Sequence, residues 1–334
     1  MSRVIRAGVV GCGGRGKLYA RLAAGMDDLE VVAFADVNRA GAETALAEFG
    51  GDYATAEIER IWADESLEAV VIATWHDTHT PFCQAAAAAG KHIFIEKPLA
   101  LTVAECEAIG ESVRRAGVKL VAGFKLDFCP VVRAVKERVG TPWLLTGQMM
   151  DNPWPTTHWA TQPGTGGGNV LSQGCHTADL LRFLAGAEPV KVAGFGGTFS
   201  GQHPAVIDNV VASIAYANGA VASLVQGDLG ENRQLSKFFF QVWGRDGAWA
   251  HLDTRLHRAV VYRRGAEPEE IVAAQLGSDD RLVIEGDYGV LRAFVEAVKG
   301  DGPAEPGVLA GTQATRTITG IFESIRTGQV VELA

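Results

Sequence analysis

Between residues 4 and 123 the chain alternates short apolar runs with stretches of helical spacing. The runs are Val4 to Val10, Glu30 to Asp36, Ala69 to Ala73, Ile93 to Ile95 and Lys119 to Gly123. They lack the polar alternation of a half-wetted strand, which predicts strands buried on both faces of a parallel sheet. A helix is expected over Lys17 to Ala24. Another is expected with Thr80 as N-cap and Pro81 at its first position, stopping at Gly90. Thr102-Val-Ala-Glu105 forms a capping box for a helix that runs to Ala116 and stops at Gly117. Strand and helix in repeated alternation predict a doubly wound α/β domain over residues 1–123.

From residue 124 the pattern changes. A helix is predicted from Pro130 to Val139, a strand over Leu144 to Met150 and a helix over Val170 to Leu184. Strands follow at Val190 to Phe195, at Asn209 to Ala217 and at Ala220 to Gly227. The last two are joined by Asn218-Gly219, a strong hairpin signal. Lys237 to Trp243 and Ala248 to Leu252 pair across Gly244 to Gly247, and Val260 to Arg263 extends them. Helices at 287–299 and 308–327 and a final run Val330 to Leu333 close the chain. Residues 124–334 thus read as an α+β domain on a large, mostly antiparallel sheet. Helices on one side leave its other face open, and a second subunit is the simplest cover. Phe238-Phe-Phe240 breaks the alternation, as burial on both sides would require.

Composition sharpens the class. The 334 residues suit two domains, and the 47% apolar and 21% charged content is that of a soluble globular protein. A net charge of −9 argues against a nucleic-acid surface. The five cysteines, at 12, 83, 106, 129 and 175, show no CxxC or metal-ligand spacing, so reduced thiols and no metal are expected. Val4-Ile5 leads straight into Gly8-Val-Val-Gly11 without a signal-peptide pattern, and no run has the length of a membrane span. A cytoplasmic location is the expectation.

Chemistry enters at four places in the first half. Gly11-Cys12-Gly13-Gly14-Arg15-Gly16 lies between a strand and a helix, the context a dinucleotide turn requires. There Gly11 permits the turn, Gly13 the approach of a pyrophosphate and Gly16 close helix–strand packing. Asp36 ends the second strand, 20 residues after Gly16, where a carboxylate meets an adenosine ribose and repels a 2′-phosphate. NAD is expected ahead of NADP, although Arg39 is near enough to receive that phosphate. Further on, Ile93-Phe-Ile95 runs into Glu96-Lys97-Pro98. Pro98 biases Lys97 towards extended backbone at the carboxyl end of a strand, where open α/β sheets bind ligands. Thr74-Trp75-His76-Asp77-Thr78-His79 lies at the mouth of the neighbouring strand, and Thr74, His76 and His79 are candidates to contact nicotinamide or substrate.

The second half offers Ser172, His176 and Asp179 near one face of a single helix, at spacings of four and three. It also offers the loop Asp151-Asn-Pro-Trp-Pro-Thr-Thr-His-Trp159. There His158 and Trp159 are candidates to line a pocket, since aromatic faces suit the C–H side of a sugar ring; structural packing is an equal alternative.

Together these stretches resemble the Gfo/Idh/MocA family of oxidoreductases, which includes inositol and sugar dehydrogenases. The resemblance rests on Gly11 to Gly16, Asp36 and Thr74 to His79, and most specifically on Glu96-Lys97-Pro98 combined with Gly166-Gly-Gly-Asn-Val-Leu-Ser-Gln-Gly-Cys-His-Thr-Ala-Asp179. It implies a Rossmann domain with bound nicotinamide cofactor, a C-terminal open-sheet domain through which homodimers or homotetramers form, and polyhydroxylated substrates. It implies that Lys97 hydrogen-bonds the reacting oxygen and that His176 is the general acid/base. Ser172 stands where the family often has an aspartate. Lys125-Leu126-Asp127 stands where many members carry arginines, which gives Lys125 and its neighbours a different substrate surface. The implied reaction moves a hydride between a substrate carbinol carbon and the nicotinamide. The alternatives are redox-neutral sugar processing, by epimerisation or glycoside cleavage through transient oxidation, and a non-catalytic NAD-binding sensor.

Overall fold

The computed structural model describes residues 3–201, 203–234, 236–277 and 279–333. They form two compact units. The first contains residues up to Ala100, Ala104–Gly123 and Val290–Thr312. The second contains Leu101–Val103, Phe124–Gly289 and the residues from Gln313 on.

In the first unit six parallel strands lie in the order β3-β2-β1-β4-β5-β6, with β1 at Ile5–Val10, β2 at Leu29–Ala35, β3 at Tyr53–Thr55, β4 at Ala69–Ile72, β5 at His92–Ile95 and β6 at Leu120–Ala122. All four residues of β4 are buried, as are three of the four in β5. This two-sided burial is why the apolar runs lack alternation. The helices are α1 (Gly14–Ala23), α2 (Arg39–Phe49), α3 (Glu59–Ala63), α4 (His79–Ala88) and α5 (Val103–Ala116). The sheet turns in opposite directions on either side of β1, so the turns after β1 and β4 open at the switch point where such sheets bind ligands.

The second unit contains α6 (Pro130–Val139), β7 (Pro142–Met150), α7 (Gly168–Ser172) and α8 (Gly174–Ala185). Its further strands are β8 (Pro189–Gly197), β9 (Asn209–Tyr216), β10 (Val221–Gly227), β11 (Phe238–Gly244), β12 (Ala248–Asp253), β13 (Arg258–Arg263) and β14 (Glu269–Val272). The chain closes with α9 (Arg281–Ile284), α10 (Asp287–Lys299), α11 (Val308–Thr327) and β15 (Val331–Glu332). Nine strands form one sheet, β14-β13-β12-β11-β7-β10-β9-β8-β15. Only β7 and β10 pair in parallel. The predicted hairpin turns at Gly219, φ +85°, a conformation glycine adopts without strain. One sheet face buries Leu145, Ala212, Leu224, Phe240 and Val242 in a core shared with α6, α8 and the end of α11. The opposite face exposes Leu144, Phe195, Val211 and Val221.

Four features differ from the sequence pattern. Residues 290–312, assigned above to the second domain, pack with the first unit. The Arg292 guanidinium donates to both oxygens of Asp28 (2.7 and 2.8 Å), Lys299 donates to Asp28 (3.0 Å), and Ala122 N–H donates to Pro306 O (2.7 Å). The expected helix over 170–184 is broken at Gln173 (φ −109°, ψ −34°) into α7 and α8. The second piece starts with Gly174 packed so closely on Gln226 of β10 that a Cβ would come within 3.0 Å of it. Helix α4 starts at His79, not after Thr80, because the chain already turns at Thr78, whose hydroxyl donates to Trp75 O (2.7 Å). Within Phe238-Phe-Phe240 only Phe240 is buried, while Phe239 lies on the open face.

Candidate active site

The glycine turn has the shape its spacing predicts. Gly11 sits at φ +90° with a would-be Cβ 2.4 Å from Ala73 O, and at Gly16 the same atom would lie 1.9 Å from Gly11 O. No side chain is tolerated at either position without moving backbone. Gly13 and Gly14 instead face open space, with nothing within 4 Å of a Cβ. Helix α1 starts with no side-chain cap and no acid in its first turn, so its first N–H groups and the positive end of its dipole are left for an anion. Asp36 closes the other side. Its carboxylate accepts from Cys12 N–H (2.7 Å) and from Asn38 N–H (2.8 Å), which fixes it beside the turn. An open glycine cradle, an uncapped helix start and a fixed carboxylate fit a dinucleotide with a free ribose diol. Arg39 is turned aside to Glu43 (2.8 Å).

The stretch after β5 is tied to this turn through Glu96. Glu96 is buried, and its Oε1 accepts from Arg15 Nε (2.5 Å) and from the Tyr19 hydroxyl (2.5 Å). Its Oε2 accepts from the backbone N–H of Lys97 (3.1 Å). Arg15 also donates to the Tyr19 hydroxyl and lies over that ring, 4.9 Å from its centroid. Burial alone would raise the Glu96 carboxyl, but the charges of Arg15 and Lys97 and the Tyr19 hydrogen bond outweigh it and hold the group down at about 2. Lys97 is half-buried, and the Lys97–Pro98 peptide is cis. His79 is fully buried, with Nδ1 against Pro98 O (2.8 Å), so that nitrogen carries the proton. Burial pushes its pKa down, towards the neutral ring. His76 is buried with its ring 5.6 Å from His79, and the Thr74 and Thr78 hydroxyl oxygens are in hydrogen-bond contact at 2.7 Å. The structure therefore gathers Arg15, Glu96, Lys97 and His79 around one short segment. Tyr19 was missed from sequence, although its place four residues after Arg15 on one helix was the available signal.

In the second unit Ser172 and His176 flank the break at Gln173, and both are buried. The His176 ring meets Phe124 edge-on at 6.0 Å. Beneath them runs a neutral chain. Thr177 Oγ1 donates to Gln226 Oε1 (2.8 Å), and Gln226 Nε2 donates to Asn169 Oδ1 (3.0 Å), all three fully buried. It pins both α7 and α8 to β10. Gln226 follows Ala222 and Leu224 on the core-facing side of β10, so a polar residue in a core register was its sequence signal.

The aromatic loop is a cluster as well. His158 is exposed, lies 5.7 Å from the Trp154 ring and 5.5 Å from the Trp159 ring, and accepts from Ala160 N–H through Nδ1 (3.3 Å). Asp228 anchors the loop by accepting from Trp154 N–H (3.0 Å). Lys125 belongs to a different cluster: its ammonium reaches Asp287 (2.6 Å) and Glu285 (3.3 Å). Two carboxylates already neutralise it, which leaves its charge little to offer a substrate. Among the described residues no group of three or more His, Cys, Asp or Glu side chains has the arrangement of a metal site.

A glycine turn at the switch point of a parallel sheet, a lysine after the strand two places along and an open-sheet unit are the marks of a nucleotide-binding oxidoreductase. The chain belongs to the Gfo/Idh/MocA oxidoreductase family: residues 5–124 match its NAD-binding Rossmann fold and residues 135–333 its C-terminal α/β domain. An inositol 2-dehydrogenase of Rhizobium meliloti is 34% identical over 56% of this chain and 57% of its own length. The chain thus aligns with little more than half of that relative. A D-xylose 1-dehydrogenase (NADP(+)) of Haloferax volcanii is 26% identical over 98% of this chain and 99% of its own. A levoglucosan dehydrogenase solved with NADH and levoglucosan shares the fold, with TM-score 0.88, 23% identity, and coverage of 99% of this chain and 100% of that one.

Proposed function

We propose that the protein is an NAD-dependent dehydrogenase acting on a carbinol carbon of a neutral sugar, inositol or related polyol. The observation that carries this reading is the Lys97 segment, fixed by a buried carboxylate to the glycine turn. When bound, the nicotinamide supplies the hydride acceptor or donor. Lys97 donates a hydrogen bond to the substrate oxygen as it gains alkoxide character, an oxyanion-type stabilisation. His176 takes the hydroxyl proton during oxidation and returns it during reduction, help of about 10²–10⁴ in rate. The Trp154, His158 and Trp159 rings offer a face for the C–H side of a sugar. Asp36, with Arg39 turned to Glu43, favours NAD over NADP.

The test is to follow NADH absorbance while sugars, inositols and sugar acids are supplied with NAD and with NADP. A rise with one polyol and NAD is expected, and Lys97→Met should abolish it while NAD still stabilises the fold. A flat trace with every substrate, despite stabilisation by NAD, would overturn the dehydrogenase in favour of redox-neutral processing or a sensor.

We further infer that a second copy of the chain covers the open sheet face. Phe195 is 84% exposed and Val211 55%, with Leu144, Val221 and Phe239 on the same face. Light scattering is expected to give a dimer or tetramer, and Val211→Lys with Phe195→Glu should reduce it to monomer. A wild-type monomer would sink this part. We assign the protein to the cytoplasm, in keeping with five buried cysteines and no disulfide among the described residues. No helix among those residues is long and apolar enough to cross a membrane.

A further inference from the structure

A lysine that stabilises a developing alkoxide must keep its proton, and the partial burial of Lys97 works against its charged form. It needs a nearby negative charge. The residue next to it is Glu96, whose carboxylate is buried and hydrogen-bonded on both oxygens. One oxygen takes the Lys97 backbone N–H (3.1 Å), which fixes where the lysine chain starts. The other takes Arg15, a member of the glycine turn, and Tyr19.

We propose that Glu96 is a positioning residue for Lys97, setting its backbone and holding its ammonium charged, and that Arg15 moderates this effect by competing for the same carboxylate. The proposal rests on the reading of Lys97 as the residue that meets the reacting oxygen. The titratable groups gathered on the segment within this unit are few. Arg15 and Tyr19 come from α1, and His79 from α4, with His76 behind it. Burial drives His79 neutral, so it brings no competing charge. Glu96 is itself far too acidic to be protonated at working pH, because Arg15 and Lys97 outweigh its burial. Its charge is therefore constant, and what can vary is how that charge is shared among Arg15, Tyr19 and Lys97. Arg15 sits in the turn that fits a pyrophosphate. An anion drawing on Arg15 would leave more of the Glu96 charge to Lys97, which would couple cofactor binding to the state of the lysine.

Competitive labelling of amines with acetic anhydride across a pH series, read by mass spectrometry at the Lys97 peptide, gives the titration midpoint of that lysine without turnover. Glu96→Gln keeps the shape and the acceptor but removes the charge. It should move the midpoint down by about one pH unit, which makes labelling about tenfold faster below both midpoints. Arg15→Met should move it the other way. Looser packing alone would raise the plateau rate at high pH without moving the midpoint, so it is separable. Both midpoints staying at the wild-type value would overturn the proposal. If Glu96→Gln fails to fold, the sign of the Arg15→Met shift decides: up supports, unchanged or down overturns. Turnover by Lys97→Met would sink the parent reading separately, whatever the labelling reports.

Discussion

The two units hold their candidate residues by different electrostatic means. In the first, Lys97 is set by a buried carboxylate, a guanidinium and a phenol. In the second, the helices bearing Ser172 and His176 are set by a hydroxyl and two amides, with no charge among them. The charged arrangement is strong in a low-dielectric interior and transmits changes in charge from one member to another. The neutral chain transmits nothing of that kind, but it holds at any pH at which the protein is folded. A residue whose protonation must be defended sits on the first kind of support. His176, proposed to gain and lose a proton itself, lies on a helix held by the second kind of support.

Gln226→Leu would test that contrast most severely. It leaves the Thr177 hydroxyl and the Asn169 amide buried without their present partner, at a cost of up to about 3 kcal/mol. Urea midpoints should fall by the same amount across a range of pH, because nothing in the chain titrates. An unchanged midpoint, or a loss confined to one end of the pH range, would break the comparison.

A smaller, pH-dependent effect is expected from Asp28→Asn in the first unit. The Asp28 carboxyl is held down at about 2, chiefly by its hydrogen bonds from Arg292 against the opposing effect of burial, with Lys299 adding to the lowering. Since the folded value lies below the ordinary one, the stabilisation is present above the usual carboxylate range and is lost as pH falls towards 2. The variant should be roughly 1–2 kcal/mol less stable than wild type near neutrality. The gap should close in acid. Thermal midpoints of both proteins against pH would check it, and a gap that stays constant down to acid pH would contradict the assignment.

Much of this was visible in the residue pattern for definite reasons. Helices α6, α10 and α11 have strong helical periodicity and stops such as Gly140, and they fall where the pattern put them. Asn218-Gly219 fixed a hairpin register by local turn chemistry alone. The short strands β3 and β14 and helix α3 were not foreseen, since segments of three to five residues carry too few positions to define a period. The break at Gln173 was hidden because the spacing of apolar residues runs through it. The long-range ties were the least legible. Asp28 and Arg292 are 264 residues apart, and Thr177 and Gln226 are 49 apart, so no local pattern announces either pair. At the candidate site, the glycine turn, Asp36 and Lys97 stood out by motif and Asn169 lay inside the Gly166 to Asp179 stretch, whereas Tyr19 and Gln226, which support these residues, did not stand out.

The path of the chain has a consequence for how the protein comes into being. The backbone passes between the units at 100/101, 103/104, 123/124, 289/290 and 312/313. During synthesis, domains ordinarily fold in the order they leave the ribosome. Here the dinucleotide-binding unit is made first but cannot be completed first. Asp28 waits for Arg292 and Lys299, and Ala122 waits for Pro306, until nearly the whole second unit has been translated. A nascent chain halted before residue 290 would therefore carry a nucleotide-binding unit that still lacks one of its three chain segments, and the closing of that unit would come among the last steps of its maturation.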